Sequence, residues 1–139
     1  MLVDWSKVHY FTAADWGPLV KRLDPTLIYA VDDLRALIGV PIMLGDAIAP
    51  GHDAAGEHPR GRAVDCHAIG LPLLDFWLAA ERIRAFGGIG IYPFWVTPGL
   101  HLDTRLGPHR ARWWRDEARA YHPLTAATLA AIMVGEATA

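Results

Sequence analysis

The chain has 139 residues, 13 basic and 15 acidic side chains, 53% apolar residues and one cysteine, Cys66. That length is enough for one domain with its own core, and the formal charge of −2 excludes the concentrated basic surface that general nucleic-acid binding requires. A lone cysteine excludes an internal disulfide and a thiolate-rich metal framework, so any metal must sit on His, Asp or Glu.

No apolar run reaches the roughly 18 residues of a membrane span, so no membrane partner is expected. Asp4, Lys7 and His9 also interrupt the stretch where a signal peptide would be apolar. The expectation is a chain made in the cytoplasm, which would act outside the cell only after release by another agent. A host cytosolic protein would read the same way.

In chain order, Thr12 and Asp15 form a capping-box pattern for a short helix that Gly17-Pro18 disturbs. Asp24-Pro25 reads as N-cap and first helical residue, and Leu27, Ile28, Val31, Leu34, Leu37 and Ile38 recur at helical spacing up to Gly39. Val40 to Leu44 is a short β-prone run, and the Gly-, Pro-, His- and Asp-containing loop from Gly45 to Gly61 is long enough to suggest a functional segment. Arg62 to Ala68 reads as a strand, with Ala63, Asp65 and His67 on one face and Val64 and Cys66 on the other.

Pro72 opens a second amphipathic helix through Phe76, Trp77, Ala80, Ile83 and Phe86, closed by Gly87-Gly88. Two strands follow, Ile89 to Phe94 and Leu100 to Thr104, around a turn at Thr97-Pro98-Gly99. From Pro108 the pattern predicts helix, first an Arg-rich stretch and then an Ala-rich tail from Leu124 to Val134. The expected class is α+β, a small antiparallel sheet with flanking helices, in one domain of core 11–105 with a helical C-terminal extension over 108–135.

The chemistry concentrates in Glu57-His58-Pro59-Arg60-Gly61-Arg62-Ala63-Val64-Asp65 and in His101-Leu102-Asp103. A catalytic zinc takes three protein ligands and keeps one position for water, and His58, Asp65 and His101 supply that set. Two neutral imidazoles and one carboxylate leave the ion a residual charge of about +1, which favours a bound hydroxide and polarises a carbonyl. Gly61 allows a sharp turn into the strand, and small Ala63 leaves room beside the ion.

The pattern HxxGxAxD followed by HxD resembles peptidase family M15, the zinc D,D-carboxypeptidases and L-alanyl-D-glutamate or murein endopeptidases. The likeness runs from about Phe11 to Arg105 and includes Leu23-Asp24-Pro25 upstream and Gly88-Ile89-Gly90-Ile91-Tyr92-Pro93 downstream. It implies the zinc D-Ala-D-Ala peptidase-like (hedgehog/DD-peptidase) fold, Zn2+ on His58, Asp65 and His101, and a stem or cross-link peptide of peptidoglycan as substrate. Three departures stand out. Gly56 occupies the place of a common Ser, Ala47 to Ala49 that of a substrate-binding Arg, and Pro98 that of the acid three residues before the last His.

A metal-bound water needs a proton acceptor within hydrogen-bonding reach. Asp103, two residues past His101 and on its face if the segment is a strand, is the leading catalytic candidate, either as base or as orienter of His101. A simple pairing with Arg105 is the plain alternative. His67 and Glu57 are further candidates, His67 more readily a structural residue, and Cys66 reads as a small buried residue.

Arg105, Arg110, Arg112, Arg115 and Arg119, interleaved with Trp113 and Trp114, read as a solvated helix face with Trp packing inward, or as a surface for an anionic polymer. Leu124, Leu129, Ile132 and Val134 are placed to dock on the domain or on a second copy. The expected activity is hydrolysis of an amide bond in peptidoglycan peptides, reached at the cell wall after release by a partner, as a phage or prophage lysis protein (an endolysin) does. The alternative is a non-catalytic zinc module of the same fold that binds peptide or a partner protein.

Overall fold

The computed structural model describes residues 2–45, 56–108 and 110–138. Among the described residues, four α-helices and six strands follow in the order α1 (Ala13–Trp16), α2 (Pro25–Ile38), β1 (Ile42–Leu44), β2 (Ala63–Ala68), α3 (Leu73–Ala80), β3 (Gly88–Tyr92), β4 (Gly99–Asp103), β5 (Ala111–Arg115), β6 (Tyr121–Pro123) and α4 (Ala126–Thr138). The strands form a single sheet in the order β1-β2-β4-β3-β5-β6. The α+β expectation holds at this level. No helix among the described residues is long and apolar enough to cross a membrane.

The helix starts follow their local chemistry. Thr12 and Asp15 form the reciprocal capping box of α1. The Asp24 carboxylate accepts from the Thr26 amide at the start of α2, Pro25 takes the first helical position, and Gly39 closes the helix at φ 72°. Leu27, Ile28, Val31 and Leu34 on α2 are fully buried, at about 1.5–3 kcal/mol of transfer free energy each. They join Phe76 and Ala80 of α3 over one face of the sheet, where Val64, Cys66, Ile89, Ile91, Leu100 and Leu102 point.

Strand alternation turns the complementary residues, Ala63 and Asp65, Gly88 and Gly90, His101 and Asp103, toward the opposite face. The core and the chemistry-bearing residues therefore share the same three strands.

Three expectations are corrected. The helix from Pro72 ends at Ala80; Glu81 caps it and pairs with Arg112 at 2.7 Å, and tight turns at Arg82, Ile83 and Phe86 bring Phe86 into the core and lead into β3. The sheet is mixed, because β5 runs parallel to β3.

The third correction concerns 108–135. The Arg-rich stretch is the strand pair β5–β6, and only Ala126–Thr138 is helical. Trp113, Trp114 and Tyr121 are β-prone, and β5 gains a full backbone ladder against β3, which outweighs any local helical preference. The ladder is possible at close range because Gly90 has no side chain: a Cβ there would collide with the Trp113 indole. From the tail, Leu124 and Ile132 pack against the domain's own core.

Candidate metal centre

Asp65 on β2 and His101 on β4 are directly opposed in the antiparallel ladder, so they share a face by register. His58 reaches the same point from the turn that precedes β2. Gly61 adopts φ 72° there, its backbone packs on the Arg22 carbonyl where a Cβ would collide, and its own carbonyl accepts from the Asp24 amide at 2.8 Å. The start of α2 is thereby tied to the His58 turn.

The Asp65 Oδ1 atom lies 3.4 Å from His58 Nε2 and 3.2 Å from His101 Nδ1. The two imidazoles meet edge to face, with centroids 5.0 Å apart. One donor atom from each of His58, Asp65 and His101 falls within 4.8 Å of the others.

Asp65 Oδ1 is buried yet makes no hydrogen bond, which is costly unless another partner satisfies it. Ligands bonded to zinc at about 2.0–2.1 Å in a tetrahedron stand roughly 3.3–3.4 Å apart. The spacings around Asp65 Oδ1 match that edge, and a nitrogen–nitrogen–oxygen donor set is one that zinc accepts. The residues fit the ion.

Behind His101 stands Asp103, with no exposed surface. Its Oδ2 is 2.7 Å from His101 Nε2 and accepts from the Arg105 guanidinium at 2.6 Å; Oδ1 accepts from Arg105 Nε at 2.8 Å and from the Arg105 amide at 3.1 Å. Gly88, its partner across β3–β4, makes the space: a Cβ at that position would fall on the carboxylate. Both oxygens of Asp103 are thus engaged on the side of His101 away from Asp65.

The electrostatics follow from these contacts. Burial works to raise the Asp65 carboxyl, but the His101 and His58 imidazoles outweigh it and bring the group down to about 2. Burial likewise opposes ionisation of Asp103, and the hydrogen bonds from Arg105 and then His101 prevail, holding it well below the usual carboxylate range. For His101, burial favours the neutral ring, yet Asp103 and Asp65 on either side raise it above its ordinary value.

A cavity of about 530 Å3 opens in front of this cluster. Glu57 lines it, with Oε2 buried and without a hydrogen-bond partner and Oε1 3.7 Å from Arg60. Tyr92, Trp95, Trp113, Arg115 and Tyr121 also line it. Trp95 and Tyr121 lie outside the motifs, and Tyr92 enters only at the end of Gly88-Ile89-Gly90-Ile91-Tyr92, which places Gly88 and Gly90 on its own face and apolar residues on the other.

The remaining candidates divide clearly. His67 shares Asp65's strand face but stands opposite Met43 toward the β1 edge, outside the cavity lining. Cys66 is buried on the core face, and burial pushes its thiol up. Arg110 donates to the Arg84 carbonyl, Arg112 pairs with Glu81, and Arg105 holds Asp103, while Arg115 lines the cavity and Arg119 an adjoining one. Gly56 is at the cavity rim, Pro98 in the turn before β4, and Ala47 to Ala49 lie outside the described residues.

In sequence, the chain is 30% identical over 123 residues to a protein of Escherichia coli strain K12 named peptidoglycan L,D-endopeptidase MepK, and to its namesakes in Escherichia coli O157:H7 and Shigella flexneri. The match covers 78% of this chain and 64% of each relative, so the chain spans less than two thirds of the length of the curated relatives it matches. No protein-family model matches the chain. No solved structure gives a significant match.

Proposed function

We propose that this chain is a zinc peptidase of the M15 type that hydrolyses an amide bond within peptidoglycan peptides. The observation that carries the proposal is the buried Asp65 Oδ1 facing His58 Nε2 and His101 Nδ1 at tetrahedral-edge spacing, in residues that line an open cavity. Similarity to peptidoglycan endopeptidases over most of the chain supports the substrate class.

His58 Nε2, Asp65 Oδ1 and His101 Nδ1 would hold the ion. When bound, zinc supplies a water of pKa near about 7 and a Lewis acid for the scissile carbonyl. His101 donates its Nε2 proton to Asp103, which fixes the tautomer that leaves Nδ1 free to ligate. Asp103 is therefore a positioning residue in this scheme, since both its oxygens are taken and it stands behind the ligand. Glu57, which lines the cavity and has one carboxylate oxygen without a hydrogen-bond partner, is the proposed proton acceptor. Burial pushes the Tyr92 hydroxyl up, so this cavity residue stays a neutral hydrogen-bonding group.

Metal analysis of the purified protein, together with digestion of purified peptidoglycan, tests the reading. The expected result is cleavage that stops with a chelator, returns with added zinc and is absent in His58→Ala. Cleavage that survives both chelation and His58→Ala overturns the metal mechanism. Bound zinc with no cleavage of any wall preparation points instead to a binding module.

A further inference from the structure

The cavity walls differ in chemistry. The lining joins the imidazole and carboxylate cluster to aromatic rings, with Tyr92 and Trp95 stacked at 4.1 Å and an interplanar angle of 14°. The cations in the lining are Arg105 and Arg115. Arg105 is committed to Asp103 through two of its nitrogens.

Arg115 is in a different position. Its Nε is buried with no hydrogen-bond partner, and its guanidinium carbon lies 5.5 Å from the Tyr121 ring centroid. An aromatic ring attracts the charge but takes no in-plane N–H, so the guanidinium fork keeps its hydrogen-bonding capacity.

Arg115 also borders a second cavity of about 450 Å3, which shares Tyr92 and Trp95 with the first. The guanidinium thus stands where the two cavities join. Carboxylates line both cavities, Glu57 and Asp65 the first and Asp116 and Glu117 the second. Asp116 is occupied by His122 at 2.7 Å and by the Ala120 amide at 2.9 Å.

We propose that Arg115 anchors a free carboxylate of the peptide substrate at this junction, while an apolar part of the substrate lies on Tyr92 and Trp95. The substrate class is then an acidic peptide with a carboxylate close to the bond that is cut. A planar fork accepts such a group in two parallel hydrogen bonds, which a Lys ammonium cannot reproduce. This inference rests on the peptidase reading.

The test uses one pair of ligands: stem tetrapeptide released from peptidoglycan, and the same peptide with its carboxylates converted to methylamides. Binding to the metal-free protein is followed by calorimetry, and cleavage by the zinc-loaded protein is followed by chromatography. Wild type is expected to bind the free acid at least about tenfold more tightly than the amide. Arg115→Gln should erase that preference, with zinc content and circular dichroism unchanged, and the rise should fall in KM more than in kcat. Arg115→Lys should keep part of the preference. A wild type without preference, or an Arg115→Gln protein that retains it, overturns the anchor and leaves the peptidase reading standing if peptidoglycan is still cut. A zinc-loaded wild type that cuts no peptidoglycan overturns both.

Discussion

The two faces of the sheet are built from the same strands and answer to different physics. On one, Val64, Ile89, Ile91, Leu100 and Leu102 are sealed beneath α2 and α3. On the other, Asp65, His101 and Asp103 stand at the same ladder positions one residue out of phase. Apolar burial is non-directional and tolerates small shifts, whereas the site depends on the orientation of single atoms and on charge in a partly buried setting. The fold can therefore be stable without the metal, and the site can be lost without losing the fold.

The largest effects should separate these faces. Replacing His101 with Ala removes one of three ligands, and peptidoglycan cleavage should fall by more than about 1,000-fold, roughly 4 kcal/mol of transition-state stabilisation. Metal analysis should show the loss, and the far-ultraviolet circular dichroism should stay that of a folded chain. An unfolded His101→Ala protein would mean that the two faces are not separable.

Phe76→Ala tests the opposite face. Phe76 is fully buried against the sheet, and its truncation should cost about 3–5 kcal/mol in urea denaturation. The folded fraction should keep its zinc stoichiometry. A drop in zinc content at temperatures where the variant remains folded would show that core packing sets the ligand geometry.

Between them lies Asp103. Asp103→Ala should weaken zinc affinity by about 10–100-fold, because His101 loses the acceptor that orients it. Gly88→Ala should act in the same direction while removing no polar group, since its methyl falls where the Asp103 carboxylate stands. Competition with a chromogenic chelator measures both. Wild-type affinity in Gly88→Ala would break the link from β3 to His101.

The smallest effect concerns the β5–β6 hairpin. The His122 imidazole and then the Ala120 amide hold the Asp116 carboxyl below its usual range. A carboxyl lowered on folding contributes stability that is fully present above its unfolded value, about 3.9, and that is lost as pH falls through the lowered folded value. The protection factor of the Ala120 amide, measured against an unstructured chain at the same pH, should accordingly fall on acidification. An Asp116 side chain that titrates at the ordinary carboxylate value in an NMR series would remove this contribution.

The helix α2 was legible in the sequence from Asp24-Pro25 to Gly39 because its signals are local: a cap, a fixed φ and a 3.6-residue apolar period. The strand faces of β2 and β4 were legible for the same reason, since period-two alternation needs only neighbours along the chain, and that alternation already set Asp65 apart from Cys66. The triad of His58, Asp65 and His101 could be named from residue types and spacing. What local signals could not supply was the 108–123 segment. Its charges and tryptophans are compatible with a helix in isolation, and β3 alone, with Gly90 cleared for Trp113, makes it a strand.

That switch from helix to strand changes which residues meet. On a helix Trp113 and Arg115 would point in divergent directions, while on β5 they lie on one face, beside the cavity that His58, Asp65 and His101 also line. Residue identity and short-range periodicity thus determined which groups could ligate and which faces could be buried. Tertiary pairing alone decided which cation and which aromatic rings stand over them, because a backbone ladder between distant segments draws its energy from a partner that no local window contains.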